Sequence, residues 1–426
     1  MGKSTARDAV LRIVESARDE IVAFTQALIR VPTVNPPGDA YEPCVQLIGD
    51  MLRDHKFAVE YYTATERPEH SARYPRVNVV GRREGRSARP TLHFNGHVDV
   101  VPAGNGWTVD PFGGEVRDGR VYGRGAADMK GGLAAAIFAA EAIRRANVQL
   151  GGTIEISGTV DEESGGWAGV AHLAAMGRLT SASTDYVVIP EPFGVDRICV
   201  GHRGVYWFEI TTFGHIAHGS MPFLGVNAIE HLGEVLHELH AHVQPLLLMR
   251  RSAMPVVPEA ARRATLNINS ISGGQDGEDM QSPCVADEAS AVFDRRFLEE
   301  ETFEAVKSEI VDVLDRVQRR IPGLRYALRD RMIVYPVRLP DGSPLVAALS
   351  RAISELGLGT AQLVASPGTY DHKHVTRIGG IEQCVAYGPG QLELAHQPDE
   401  WCAVDDLVRA TQVMALTALD LLAPQA

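Results

Sequence analysis

The chain has 426 residues and a formal net charge of −13, with 45% hydrophobic and 22% charged residues. These values are typical of a globular protein of two domains, and the negative charge argues against a nucleic-acid surface, which requires clustered Lys and Arg. No stretch contains the ~18 consecutive apolar residues of a transmembrane helix, so we expect no association with a membrane.

Two features of the sequence favour the cytoplasm as the location of the protein. The five cysteines are odd in number and show no C-x-x-C spacing, which favours reduced thiols over disulfides. The first twelve residues mix basic and acidic side chains without an apolar segment, so we expect no signal peptide.

The first half of the chain alternates predicted helices and strands. Apolar residues at helical spacing predict a helix over 10–28, which should end before the Val31-Pro32 step. Further strands are predicted at 91–101, 153–160 and 185–190, and further helices at 131–146 and 167–176. This alternation predicts an α/β fold with a mostly parallel sheet flanked by helices.

The second half shows a different order of elements. The pattern predicts strands at 205–212, 264–271, 289–293 and 324–334 and helices at 226–239 and 303–317, which is the βαββαβ order of a ferredoxin-like unit. After Pro336 the earlier pattern resumes and ends in an apolar helix over 407–422. We therefore predict a discontinuous catalytic domain (1–199 and 337–426) and an inserted lid or dimerisation domain (200–336).

Polar residues follow the three strands of the predicted parallel sheet. His97 and Asp99 come at the end of the first strand, Glu162 and Glu163 follow the second, and Glu191 follows the third. The carboxyl ends of parallel strands meet at one edge of a sheet, where ligands bind. We therefore expect these side chains to lie close together.

The same residue types indicate a catalytic metal site. Any one of them is weak evidence, because a single histidine is more often structural and Glu-Glu pairs are usually surface charge. However, catalytic zinc sites use His and carboxylate ligands and keep a position for water, whereas structural sites commonly contain Cys. Buried carboxylates must be neutralised. With Asp128 and His396 included, the candidates are five carboxylates and two histidines, which fit two ions better than one, and two ions about 3.5–4 Å apart are a known hydrolytic arrangement.

Several segments carry a family resemblance that covers nearly the whole chain. They are Gly-His-Val-Asp-Val-Val-Pro at 96–102, Gly-Arg-Gly to Asp-Met-Lys-Gly at 123–131, Asp-Glu-Glu-Ser-Gly at 161–165, Glu-Pro at 191–192, and Gly-Pro-Gly with Ala-His-Gln-Pro-Asp-Glu between 388 and 400. In this order they resemble the di-zinc aminoacylase superfamily of metallopeptidases, which includes acetylornithine deacetylase, succinyl-diaminopimelate desuccinylase and glutamate carboxypeptidase.

The resemblance implies a set of five metal ligands. One zinc ion would bind His97 and Glu191, the other would bind Glu163 and His396, and Asp128 would bridge the two. Co²⁺ and Mn²⁺ also accept such ligands.

The resemblance also implies roles for two further carboxylates. Asp99 would accept a hydrogen bond from the second ring nitrogen of His97 and so determine its tautomer. Glu162 would be the general base, which takes a proton from the attacking water and returns it to the leaving nitrogen.

In the inserted domain the resemblance implies three residues that contact substrate. His218, in Gly-His-Ile-Ala-His-Gly-Ser at 214–220, would stabilise the oxyanion, often in the site of the neighbouring subunit, which predicts a homodimer. Arg295, with Arg296 as its competitor, would bind a substrate carboxylate, and Asn267 would also face the substrate.

Two departures bear on the choice of substrate. Many relatives have Asn-x-x-Pro after the Gly273-Gly274 pair, where this chain has Gln-Asp-Gly-Glu at 275–278. This difference argues against a direct transfer of substrate identity from acetylornithine or diaminopimelate enzymes. Glu191 stands where aminopeptidase members tend to have Asp, which favours deacylases and carboxypeptidases.

The resulting hypothesis is a dimeric, cytoplasmic zinc amidohydrolase. Its substrate would be a small N-acyl amino acid or related N-acyl amine. A metallo-carboxypeptidase that acts on a dipeptide or conjugate is the alternative among enzymes. A catalytically silent metal-binding scaffold is the alternative from another class.

Overall fold

The computed structural model describes residues 3–274 and 283–424. The segment 275–282, where the sequence departs from the pattern of its relatives, lies outside the described residues. Within the described part, no helix is long and apolar enough to cross a membrane.

The chain divides into two compact units. Unit 1 comprises Met1–Gly201, Leu339–Val364 and Tyr370–Ala426, and unit 2 comprises His202–Arg338 and Ala365–Thr369. These bounds lie two residues from those expected from the sequence, whereas the assignment of 365–369 to unit 2 was not expected. Each unit has its own cluster of buried apolar side chains.

The helices and strands are numbered here in chain order. The helices are α1 (Lys3–Ser16), α2 (Arg18–Ile29), α3 (Tyr41–Asp54), α4 (Lys130–Arg145), α5 (Val170–Ala175), α6 (Ala228–His242), α7 (Gln244–Met249), α8 (Phe303–Arg320), α9 (Pro344–Glu355), α10 (His372–Arg377) and α11 (Val404–Leu421). The strands are β1 (Ala58–Thr63), β2 (Val77–Arg83), β3 (Thr91–His97), β4 (Glu115–Arg117), β5 (Arg120–Tyr122), β6 (Thr153–Thr159), β7 (Tyr186–Ile189), β8 (Arg197–His202), β9 (Gly204–Phe213), β10 (Thr265–Gly273), β11 (Glu288–Phe297), β12 (Arg325–Val334), β13 (Val337–Arg338), β14 (Gln362–Ser366), β15 (Cys384–Ala386) and β16 (Trp401–Ala403).

The main sheet of unit 1 has the strand order β1-β2-β6-β3-β7-β15-β8. Its central strands β6, β3, β7 and β15 are parallel, and β1, β2 and β8 join it in antiparallel pairs. The predicted α/β fold is confirmed. The antiparallel flanking strands β1, β2 and β8 were not predicted from the sequence.

Helix α4 packs closely against the strand ends that carry the site. A Cβ atom at Gly132 would lie 1.9 Å from the main-chain oxygen of Pro190, the residue just after β7, and one at Gly96 in β3 would lie 3.0 Å from a methyl carbon of Leu133. Residues 130–143 of this helix are all buried. The small residues therefore bring the helix backbone against the sheet edge.

The N-terminal helix differs from the prediction. The predicted helix over 10–28 is two helices, α1 and α2, because Ala17 leaves the helical conformation with φ −90° and ψ 6°. The apolar spacing continues through this break, since Val14, Ala17 and Ile21 are all buried, so periodicity alone does not reveal it.

Unit 2 is built on a four-stranded antiparallel sheet with the order β10-β11-β9-β12. Its chain order, β9-α6-β10-β11-α8-β12, is the βαββαβ arrangement expected from the sequence, with the short helix α7 added after α6. Strand β10 lies at the edge of this sheet, and most of its residues are exposed.

Candidate metal centre

The candidate ligands lie where the central parallel strands of unit 1 end. His97 is the last residue of β3, the turn Glu162–Ser164 follows β6, and Glu191 lies two residues after β7. Since β3 pairs with both β6 and β7, these residues share one edge of the sheet, as the sequence predicts.

The ligands form two groups that share Asp128. In the first group, His97 Nε2 lies 3.1 Å from Asp128 Oδ1 and 3.8 Å from Glu191 Oε1. In the second, His396 Nε2 lies 3.4 Å from Asp128 Oδ2 and 3.1 Å from Glu163 Oε1. One ligand atom from each member of a group lies within 4.8 Å of the others. The two oxygens of Asp128 thus face different histidines, as a bridging carboxylate requires.

The electrostatics of the site favour bound cations. Burial, together with the charge of Asp128, raises the pKa of Glu163 to about 7 and that of Glu191 well above its usual value. Hydrogen bonds with Asp128 and then Glu163 raise the pKa of His396 to about 10. Carboxylates so crowded are neutralised either by protons or by metal ions. The nitrogen and oxygen donors fit two ions of the zinc, cobalt or manganese type.

Asp99 accepts a hydrogen bond from His97 through its main-chain oxygen, whereas the resemblance implied its carboxylate. His97 Nδ1 donates to the main-chain oxygen of Asp99 at 2.9 Å, whereas the nearest carboxylate oxygen of that residue is 3.6 Å away. The carboxylate instead accepts the main-chain N–H groups of Glu162 and Glu163 at 3.1 Å each and Asn35 Nδ2 at 2.9 Å. Asp99 therefore holds the turn that carries the predicted base, and its carbonyl oxygen determines the tautomer of His97.

The residue before Glu162 is also held by buried polar contacts. Asp161 has a left-handed backbone with φ 62°, which an L-residue adopts only when its surroundings impose it. Its carboxylate accepts Tyr41 Oη at 2.8 Å and pairs with Arg76 at 2.9 Å. These contacts, which the sequence did not predict, orient Glu162 on its turn.

Lys373, at the start of α10, is a further residue of the site that the sequence reading missed. Its Nζ lies 3.4 Å from Glu162 Oε1, and the side chain is nearly buried. Among the described residues, this is the only hydrogen bond that the ammonium group makes. By contrast, Nζ of the buried Lys130 donates to the main-chain oxygens of Leu28 and Val31 at 2.9 and 2.8 Å.

Asp371 lies two residues before Lys373 and is also buried. One of its oxygens accepts Asn95 Nδ2 at 3.0 Å, while Oδ1 has no hydrogen-bond partner among the described residues. Burial, and then the charge of Glu162, raises the pKa of Asp371 to about 7. In the sequence, the polar run Asp-His-Lys-His at 371–374 is the pattern that could have indicated Asp371 and Lys373.

The three residues predicted to contact substrate all lie in unit 2. His218 is exposed, and its Nδ1 accepts the main-chain N–H of Ser220 at 3.1 Å. Asn267, also exposed, lies on β10 and donates to Asn269 at 2.8 Å.

Arg295 is not placed to bind a substrate carboxylate. Its side chain is fully buried, and its Nη2 pairs with Glu301 at 2.5 Å. Its competitor Arg296 pairs with Asp294 through two hydrogen bonds of 2.7 and 2.8 Å. Because both guanidinium groups already have carboxylate partners, the structure argues against this part of the sequence interpretation.

Comparison with known proteins adds a family match. The family model described as "Peptidase family M20/M25/M40" matches residues 93–420. The succinyl-diaminopimelate desuccinylase of Rhodospirillum centenum is 31% identical over 401 residues, covering 92% of this chain and 95% of the relative. The enzyme of the same name from Methylobacterium radiotolerans is 30% identical over 409 residues, covering 93% and 95%.

Solved structures share the fold. The M20 family metallo-carboxypeptidase Sso-CP2 from Sulfolobus solfataricus has a TM-score of 0.75 at 19% identity, covering 95% of this chain and 99% of the other. The YXEP protein of Bacillus subtilis, described as a dinuclear metal binding peptidase from the M20 family, has a TM-score of 0.70 at 17% identity, covering 96% and 99%.

The geometry of the two ligand groups generates a prediction for metal binding. After treatment with a chelator, the protein should bind two equivalents of Zn²⁺ per chain in isothermal titration calorimetry, and each ion should stabilise the fold by about 2.7 kcal/mol at a free concentration of ~100 Kd. The variant His396→Ala should bind one equivalent, because only the second group loses a ligand. His240→Ala, which removes an exposed histidine of α6, is the control and should bind two. One equivalent in the unaltered protein would contradict the two-group site.

Proposed function

The chain belongs to peptidase family M20/M25/M40, and we propose that it hydrolyses the amide bond of a small N-acyl amino acid or related N-acyl amine. The proposed cofactors are two divalent metal ions, with zinc as the first candidate. The protein is a metal-dependent amidohydrolase. The observation that carries the proposal is the bridging position of Asp128 between two His–carboxylate groups, with Glu162 adjoining the ligand Glu163.

In the proposed reaction, Glu162 moves the proton. Two bound ions would lower the pKa of a shared water toward ~7 and polarise the amide carbonyl. The Glu162 carboxylate accepts the proton of the attacking water and returns it to the leaving nitrogen. Asp99 keeps this residue beside the ligands by accepting the N–H groups of its turn.

His218 remains the proposed donor to the oxyanion, supplied by the partner subunit. Because its Nδ1 accepts an N–H from Ser220, the neutral ring carries its proton on Nε2. That N–H is free of hydrogen bonds within the described residues and can donate to a developing negative charge, a contact whose loss costs ~10²–10³ in kcat.

Lys373 supports a substrate that carries a carboxylate. An ammonium group has three donors, and Lys373 uses one of them for a long contact with Glu162. A substrate carboxylate two or three bonds from the scissile amide would be within reach of the other two. Both the acyl part of an N-succinyl compound and the amino acid part of any N-acyl amino acid meet this condition. We therefore assign to Lys373 the role that the sequence suggested for Arg295, and we retain Asn267 as a second proposed contact.

A homodimer through unit 2 belongs to the same proposal. Within the described residues, strand β10 pairs with another strand on one side only, through β11, and such edges pair readily with another strand. Its Ile268 and Ile271 are 44% and 59% exposed, and Ile229 of α6, which adjoins the end of β10, is 48% exposed. Exposed apolar side chains along an open edge favour a second copy as the partner. All five cysteines are free thiols, and the cytoplasmic location stays a prediction from the sequence.

The role of Glu162 is tested by Glu162→Gln. This variant should retain two equivalents of metal and lose ~10²–10⁴ in kcat, the usual contribution of a general base, because the amide cannot accept the proton. Glu163→Gln, the matched control on the neighbouring residue, should lose the ion of the second group. Turnover of N-acetyl and N-succinyl amino acids by the unaltered protein is the assay. Turnover of dipeptides alone would favour the carboxypeptidase, and no turnover of any of them would favour a scaffold.

The role of Lys373 is tested with paired substrates. Because the contact with Glu162 is lost for both substrates, Lys373→Met should lower kcat/KM for both, and for an N-acyl amino acid ~10–100-fold more than for the corresponding carboxamide, the value of a hydrogen bond between charged groups. Lys373→Arg should retain most activity. Equal losses for the acid and the carboxamide would mean that Lys373 does not bind the carboxylate.

The dimer is tested by light scattering after size exclusion. The chain mass is 46.2 kDa, so the unaltered protein should elute with twice this mass. Ile271→Lys should give the monomer mass because it places a charge at the open edge. Met176→Lys, an exposed apolar position of unit 1, should leave the dimer intact. A monomeric unaltered protein would contradict the proposal.

A further inference from the structure

A buried ion pair between Arg124 and Glu400 holds the segment that carries the bridging ligand. Arg124 Nη1 lies 2.6 Å from Glu400 Oε2, and both side chains are essentially buried. The second oxygen of Glu400 accepts three main-chain N–H groups, those of Gly125 at 3.0 Å, Ala127 at 2.9 Å and Asp128 at 3.1 Å. The position of Asp128 therefore depends on the carboxylate of Glu400.

The guanidinium of Arg124 also holds the segment that carries His396. Its Nη2 donates to the main-chain oxygens of Ala103 at 3.1 Å and His396 at 3.3 Å, and its Nη1 also donates to Gln397 at 3.2 Å. His396 has a left-handed backbone with φ 64°, a conformation that costs roughly 1–2 kcal/mol in a residue other than glycine. Arg124 thus donates to the main-chain oxygen of a strained residue and holds that carbonyl group in its orientation.

The ligands differ in how they are supported. His97 belongs to the central strand β3, and Glu191 lies two residues after β7, so the sheet itself positions them. Asp128 and His396 lie instead on irregular segments, and both segments bind the Arg124–Glu400 pair. A buried ion pair often stabilises a fold no more than apolar residues of the same size do. The contribution of this pair is therefore to position the two segments.

We propose that Arg124 and Glu400 are a positioning pair that sets the metal affinity of the group Asp128, Glu163 and His396, and that without the pair the protein holds one divalent ion tightly instead of two. The inference rests on the two-ion site of the proposed function. The second group loses the support of two of its three ligands, whereas the group of His97 and Glu191 loses the support of Asp128 alone. The pair therefore acts mainly on one ion.

The test is a Co²⁺ titration of the full-length, chelator-treated protein with two substitutions. Glu400→Gln keeps an oxygen for the three N–H groups but removes the charge that Arg124 requires. Arg124→Lys keeps the charge but loses the planar fork that reaches three main-chain oxygens besides Glu400. In both variants the first Co²⁺ should bind as in the unaltered protein, and the second ~10–100-fold more weakly, as expected when an outer contact of metal ligands is lost.

Spectroscopy and a matched control separate this role from general stabilisation. In electron paramagnetic resonance, the unaltered protein with two equivalents of Co²⁺ should show a coupled pair of ions, and the variants an isolated ion that becomes coupled when Co²⁺ is raised. Turnover should return with that second ion, with KM unchanged. Glu141→Gln removes a buried carboxylate that pairs with Arg144 and Arg145 on α4, and it should leave both affinities unaltered.

Three outcomes would overturn the inference. Wild-type affinities for both ions in Arg124→Lys and Glu400→Gln would show that the pair does not act on the metals. Equal weakening of both ions would show a general structural effect, and if Glu400→Gln does not fold, the titration of Arg124→Lys decides the question. An unaltered protein that takes up no second ion would refute the two-ion function itself, and with it the role of this pair.

Discussion

The crowding of buried carboxylates at one sheet edge is the constraint on which the rest of the site depends. Asp128 shares its two oxygens between His97 and His396, with Glu163 and Glu191 close by. Burial raises the pKa of both glutamates, so these groups cannot all be charged without cations among them. Metal ions meet this requirement, and their charge is also what makes a bound water nucleophilic.

Around the ligands, a second set of carboxylates holds the loops. Asp99 and Glu400 each accept main-chain N–H groups from a segment that carries a ligand or the proposed base. Asp161 is held in turn by Tyr41 and Arg76. A charged oxygen that accepts several backbone N–H groups restrains a loop more strongly than a neutral contact does, so these carboxylates restrain the segments that carry the ligands and the proposed base.

The residues of unit 2 that the resemblance connects with substrate differ from one another in burial. His218 and Asn267 are exposed, whereas Arg295 belongs to the interior of unit 2 through its pair with Glu301. The Phe-Asp-Arg-Arg motif contains two arginines on neighbouring positions of a strand, whose side chains point to opposite faces. Alternation along β11 puts Arg295 on the same face as Phe293 and Phe297, which is the interior face, so the sequence indicated the burial of Arg295 but not its pair with Glu301.

The sequence by itself determined the α/β class and the βαββαβ order of elements, because hydrophobic periodicity reports which faces are buried. The five candidate ligands came from the family resemblance of its motifs, and three of them follow parallel strands whose ends meet at one edge. Only the tertiary structure decided which atoms of Asp99 bond to His97, that Lys373 approaches Glu162, and that Glu400 holds the segment of Asp128. These contacts join residues on separate loops, or distinguish two oxygens of one residue. They follow from the path of each loop after its strand, which local sequence pattern does not encode.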